Sequence, residues 1–399
     1  MATIPPDRAP VIRTPFIQPR EPAFWLYLAI VAVTGFVAIS EQALFRRISP
    51  SGWVLSWALL ALYAVPVFTL VYLLDLYERE PVPLLVAAFV WGAVAATTLA
   101  AVASAGWGLV VARLGGPEFA ARWTAAITAP PVEETMKGLG VVMVYLIARD
   151  EVDDAMDGFV YGAVCGLGFA IVEDVFYFMG VFGGQPSGVL HGFFVRVLAS
   201  GLYSHVLYTG LVGMGIGYVV SRRGTAPRSK RMWVCAGLAT VAVLGHFLWN
   251  SPILDFFPSE PWTGGDWILV LVATAVKGLP LLVFVAVAVT LARRRERRWL
   301  RFALDTEVGL EGISGEELRL LESPKRRHVA RREMRRRAGP RAASVLRRLQ
   351  REQVTLAMIR SKVVAGDDPV VVRQREYCSS LREALRAIPG AAPADTAAG

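Results

Sequence analysis

The sequence predicts an all-α membrane protein, a polytopic bundle of about eight transmembrane helices followed by a helical tail, and three observations carry that prediction. Hydrophobic residues make up 54% of the 399 residues and charged ones only 19%, where a soluble domain has about 25% charged. Apolar runs recur at lengths near the 20 or so residues needed to cross about 30 Å of hydrocarbon. The charge is also segregated: residues 293–399 hold 25 Lys+Arg against 14 Asp+Glu, a net +11, whereas residues 1–292 carry a net −2. This pattern excludes a single soluble enzyme domain, a disordered chain and a disulfide scaffold. Cys165, Cys235 and Cys378 form no CxxC and suggest neither bridges nor a thiolate metal site.

In order, the spans are Ala23–Ser40, Ser51–Leu74, Val82–Ala112, Ala125–Ile147, Met156–Phe182, Leu190–Val220, Met232–Asn250 and Trp267–Ala292. The first run, 18 residues long, exceeds the roughly 7–15 residues of a signal-peptide core and reads as a retained helix. Lys and Arg in short loops set orientation. With the N-terminus inside, the inner loops take Arg8, Arg13, Arg20, Arg79, Arg149, Arg222, Arg223, Arg228, Lys230 and Arg231, and the outer ones only Arg46, Arg47, Arg113 and Arg122. Both termini are therefore expected in the cytoplasm, at the plasma membrane. Three regions follow: a cytoplasmic N-terminal segment (1–22), a membrane domain (23–292) and a basic helical tail (293–399). In the tail, Ser314-Gly315-Glu316-Glu317 reads as a capping box that opens a helix, and Gly339-Pro340 breaks the pattern. Val345, Leu346, Leu349, Leu356, Ile359 and Val363 form one apolar stripe. Asp368-Pro369 opens a last helix with Val372, Leu381, Leu385 and Ile388 as its stripe. The tail is expected to form an amphipathic helical hairpin, frayed from Ala391 to Gly399.

The informative residues are the ionisable ones inside the spans: Glu133, Glu134, Lys137, Glu173, Asp174, Arg196, His205, His246 and Lys277. Six full charges in the middle three spans would cost on the order of 15–20 kcal/mol facing lipid, more than the roughly 5–15 kcal/mol that stabilises most domains. They must face one another or a wet interior. Pro130-Pro131 suits the first turn of a helix, which would put Glu133 and Glu134 among free N–H groups. Lys137, four residues after Glu133, would hold that carboxylate ionised. Gly158, Gly162, Gly166 and Gly168 allow close helix approach ahead of Glu173, and Asp174 suits a structural partner for Arg196. His205 and the His246-x-x-x-Asn250 pair complete the set. Imidazoles with carboxylates make a nitrogen/oxygen site for Zn²⁺, or they position a water without metal, with Glu taking its proton. The sequence leaves both open.

Glu133-Glu134-x-x-Lys137, Phe169-x-x-x-Glu173, His205 and His246-x-x-x-Asn250 together resemble the PrsW family of intramembrane proteases, related to the CAAX-protease and bacteriocin-processing superfamily. The stretch Asp75-x-x-Glu78-Arg79-Glu80-Pro81 is similar to that family's early motif. The resemblance covers roughly residues 70–255. It implies an intramembrane endopeptidase acting on a membrane-anchored, regulatory protein. By that resemblance Glu133 or Glu134 is the general base, Lys137 tunes the pair, Glu173, His205 and His246 bind a metal or orient the water, and Asn250 stabilises the oxyanion. Glu173 stands where CAAX-type relatives have His, so prenyl-protein specificity does not carry over.

Two other functional classes compete with this one. Buried Glu, His and Arg also make proton relays in transporters, against which stand their clustering in few spans and the lack of an inverted repeat. A non-catalytic membrane adaptor would need a degenerate site, and no expected residue type is missing. The basic tail lacks interleaved aromatics, so anionic lipid is the expected partner and nucleic acid is not.

Overall fold

The computed structural model describes residues 14–74, 79–199, 205–223, 225–253, 264–310, 312–362 and 366–391. Arg8, Arg13, Asp75, Glu78, Val363 and the segment 392–399, all used in the sequence reading, lie outside the described residues. Among those described there is no strand, and six helices are long and apolar enough to cross a membrane. The chain divides into two compact units, one spanning 13–75 and 79–289 and the other built mainly from 290–399.

In the first unit, α1 (Pro22–Ile48) and α2 (Pro50–Leu74) expose large apolar side chains such as Phe36, Ile39, Leu62 and Val65. In a hydrophobic helix of this length such exposure is what lipid contact requires. Runs three and four form one helical stretch, Val82–Ile147, of 66 residues. Straight, it would be about 99 Å long, several times the hydrocarbon thickness. Gly116 resolves this with φ 79 and ψ 168, a break that only glycine adopts freely, and Pro117 starts the second limb. The stretch comprises α3 (Val82–Val90), a π-helical turn (Trp91–Ala96) and α4 (Thr97–Ile147).

Pro130 and Pro131 depart from expectation. They sit inside the second limb of α4, which has already begun at Pro117. Glu133 and Glu134 are therefore in a helix interior, and side chains from other helices have to satisfy them. Within the span expected over Leu190–Val220, the described residues form α6 (Pro186–Phe193), which runs on into a π-helical turn (Phe194–Ala199), and α7 (His205–Ser221), with 200–204 outside the described residues.

The centre of the unit is α5 (Ala155–Met179), opened by a capping box in which the Asp154 and Asp157 side chains each accept from the other's backbone. Of its most apolar 18-residue window 89% is buried, against 17% in α1, so α5 is the helix the others enclose. Its glycines make this possible. A Cβ on Gly162 would lie 2.2 Å from the Thr209 carbonyl oxygen, and one on Gly166 would lie 2.3 Å from that of His205. The α5–α7 seam is thus backbone against backbone. α8 (Arg228–Asn250) and α9 (Gly264–Asp305) complete the unit, the division falling within α9 after Val289.

The second unit contains the end of α9 with α10 (Gly315–Leu321), α11 (Pro324–Lys362, broken at Gly339 with φ 85) and α12 (Pro369–Arg386). The capping box at Ser314 and Glu317 is present, and Asp368 accepts from Val370 N. Two apolar clusters hold it: Leu300, Leu304, Leu318, Leu321, Leu356 and Val371, and separately Val345, Leu349, Tyr377, Cys378 and Leu381. Glu307, 1% exposed, meets Arg360 Nε at 3.0 Å and Arg375 Nε at 2.9 Å. Glu307→Gln would leave two guanidinium groups facing each other and is expected to destabilise this unit by about 3–5 kcal/mol. Limited proteolysis of the detergent-purified full chain with an Arg-specific protease reads this as earlier release of tail fragments; an unchanged pattern would contradict it.

Candidate active site

The four helices α4, α5, α7 and α8 bring the predicted residues together. Glu133, Glu134, His205 and His246 are all buried, and each offers one ligand atom such that the four atoms lie within 4.8 Å of one another. Lys137, fully buried, reaches Glu134 Oε1 at 2.7 Å and Glu133 Oε2 at 3.4 Å. The sequence expectation paired Lys137 with Glu133. The structure gives the shorter contact to Glu134, since the i,i+3 neighbour lies on the same helix face as the i,i+4 one.

The two glutamates are held very differently. Glu134 also accepts from Thr209 Oγ1 at 2.9 Å and meets His246 Nδ1 at 3.1 Å. Glu133 has only the long contact to Lys137, with His205 Nδ1 at 3.7 Å and His246 Nε2 at 3.8 Å. Thr209 was not singled out in the sequence, although its spacing of four from His205 puts both on one face of α7. Tyr208, likewise missed, stacks on His246 with centroids 4.8 Å apart.

These contacts assign the imidazole tautomers. A lysine ammonium only donates, so His205 Nδ1, 2.8 Å from Lys137 Nζ, is the acceptor. Its proton is then on Nε2, which donates to Glu173 Oε2 at 3.0 Å. An ionised Glu134 only accepts, so His246 carries its proton on Nδ1 and turns an Nε2 lone pair towards Glu133.

Behind His205, Arg196 donates from Nε to Asp174 Oδ1 at 2.6 Å and from Nη2 to Glu173 Oε2 at 2.8 Å. Asp174 thus takes the structural partnership expected of it, and Glu173 shares the same guanidinium. Counted formally, Glu133, Glu134, Glu173 and Asp174 stand against Lys137, Arg196 and the buried Lys277 in this interior, an excess of one carboxylate. A cavity of about 220 Å³ adjoins the site, with Tyr63, Glu173, Arg196, His205, His246 and Lys277 in its wall. Asn250 lines it too, and its Nδ2 donates to Ala125 O at 3.4 Å. Lys277 donates to Ser251 O at 3.0 Å, at the C-terminal end of α8.

Two imidazoles and two carboxylates are a donor set suited in kind to a divalent ion such as Zn²⁺, and the excess of carboxylates over cations favours one.

The model of the PrsW family of intramembrane metalloproteases matches residues 80–289, a stretch that contains the glutamate–histidine cluster with Lys137, Glu173, Arg196 and Asn250, and ends before the tail. Protease PrsW of Bacillus subtilis (strain 168) is 28% identical over 174 residues, covering 43% of this chain and 71% of that protein. Protease PrsW of Geobacillus kaustophilus (strain HTA426) is 26% identical over 200 residues, covering 50% and 72%. No solved structure matches this chain. With more than half of its length matched, and the buried glutamate–histidine cluster inside the match, this multi-pass membrane chain belongs to the PrsW family of intramembrane metalloproteases and is a hydrolase.

Proposed function

We propose that the chain is an endopeptidase that cuts a membrane-anchored regulatory protein, with Glu133 as general base. The observation that carries this is the asymmetry between the glutamates: Glu134 is tied by three donors, whereas Glu133 faces the free Nε2 lone pair of His246 across 3.8 Å. A water about 2.8 Å from each fits that gap. It donates one proton to Glu133 and one to His246, and turns an oxygen lone pair outward. As that oxygen attacks the scissile carbonyl carbon, Glu133 takes the proton and later delivers it to the leaving amine nitrogen. Asn250 spends one amide N–H on Ala125 O and keeps a second for the oxyanion. Lys137 tunes the glutamate pair by holding Glu134.

Glu134, His205 and His246 would hold a divalent ion beside Glu133, which stays free as the base, and the ion when bound would supply Lewis-acid polarisation of the carbonyl and a more acidic water. The sequence reading placed Glu173 with the two imidazoles as ligands. Its contact with His205 Nε2 suits the neighbouring task of fixing that ring's orientation.

The eight-span topology, with both termini cytoplasmic and the 1–22, 23–292 and 293–399 division, belongs to the same reading. So does anionic lipid as the tail's partner. Arg294, Arg297, Arg298 and Arg301 are exposed at helical spacing on α9, directly after its apolar part.

The test is a comparison of membranes carrying the wild type and His246→Ala. Fragments of single-span membrane proteins should accumulate with the wild type and fall by about 10²–10⁴-fold in rate for the variant. Equal fragment yields would overturn the assignment. Ion flux through proteoliposomes without any fragments would favour the transporter class.

A further inference from the structure

Lys137 occupies a position in this interior that tuning a base does not account for. An imidazole nitrogen has a single in-plane lone pair. On His205, Nε2 carries the proton held by Glu173, so Nδ1 is the only nitrogen with a lone pair to give. The Lys137 ammonium is hydrogen-bonded to that atom at 2.8 Å and also stands 2.7 Å from Glu134 Oε1 and 3.4 Å from Glu133 Oε2. It therefore contacts three of the four residues able to hold a metal. A zinc ion would sit about 2.0–2.1 Å from the nitrogen along the same lone pair. Two cations cannot share that direction.

We propose that this site has one cation seat, and that the Lys137 ammonium and a divalent metal ion are mutually exclusive occupants of it. In the metal-free protein Lys137 supplies the positive charge that keeps Glu133, Glu134 and His205 converged. A metal binds only when the Lys137 side chain swings away. The Phe169 ring, 4.2 Å from Nζ, offers a face on which an ammonium is stabilised as it leaves. Lys137 thereby lowers metal affinity while preserving the geometry a metal would need.

This rests on the proposed site, but its test does not use cleavage, so the two can fail separately. Detergent-purified full-length protein is stripped with a chelator and titrated with zinc chloride against a chromophoric zinc chelator. Lys137→Met and Lys137→Gln are both used, so that a folding failure of one leaves the other, and size-exclusion profiles confirm that the samples are folded. One zinc per chain is expected in each variant, bound at least tenfold more tightly than in the wild type. Adding His205→Ala to Lys137→Met should abolish that gain. Wild-type affinity equal to that of the folded variants overturns the proposal, as does the absence of zinc binding in both. If the affinities order as expected while no cleavage is ever found, the single seat stands and the peptidase reading falls.

Discussion

Gly162→Leu is expected to prevent assembly of the membrane bundle. At this position even a Cβ would lie 2.2 Å from the Thr209 carbonyl oxygen and 3.1 Å from the Gly213 Cα. The opposing atoms are backbone, so no rotamer change relieves the clash, and α5 and α7 would have to move apart. Overpacking a well-filled interior costs about 1–3 kcal/mol where side chains can adjust, and here the whole seam would have to open. That seam also positions His205 and Thr209, so the separation disperses the site as it destabilises the fold. Aggregated or degraded protein in size-exclusion analysis of detergent extracts is the expected result. Gly237→Leu on α8 is the control, because no heavy atom lies within 4 Å of its added Cβ. A monodisperse Gly162→Leu sample with wild-type melting behaviour would refute backbone contact between these helices.

The second large effect is a contrast between neighbouring residues. Under the proposed roles, Glu133→Gln removes the base but disturbs only one contact, the 3.4 Å approach of Lys137. Cleavage should fall by about 10²–10⁴-fold with the melting temperature nearly unchanged. Glu134→Gln instead removes the carboxylate that Lys137, Thr209 and His246 share. It leaves a buried ammonium short of its counter-charge, which typically costs about 3–5 kcal/mol. That variant should lose both activity and thermal stability. If the pattern is reversed, with Glu133→Gln unstable and Glu134→Gln stable but inactive, the two glutamates exchange roles.

The composition of the sequence made the membrane helices legible, because a run of some 20 apolar residues is the length that hydrocarbon requires and is costly to leave in water. Buried charge did the same for the site. Glu133, Glu134, His205 and His246 could be grouped because isolated charges in lipid are too costly to leave unpaired, and the structure brings these four together. The capping box at Ser314, the break at Gly339 and the start at Asp368-Pro369 were legible for local reasons, since each depends on residues only a few positions apart. What stayed hidden depended on distant contacts. Pro130-Pro131 looked like a helix start because nothing nearby shows that α4 has restarted at Pro117. Lys137 was assigned to Glu133 by helical spacing alone, yet its position is set equally by His205 on α7. The donation from Thr209 and the stacking of Tyr208 arise only when α7 and α8 meet α4.

The backbone-to-backbone seam between α5 and α7 has a consequence for chemical intervention. A contact with no side chains between its helices offers an inhibitor nothing to displace, so the histidine pair is shielded along that flank. Among the described residues, the chamber bounded by Tyr63, Trp249 and Lys277 offers a blocking compound a way to the pair. A ligand pairing a flat ring with an acidic group is matched to that wall, and selectivity over related enzymes would rest on whether they keep the same three residues there.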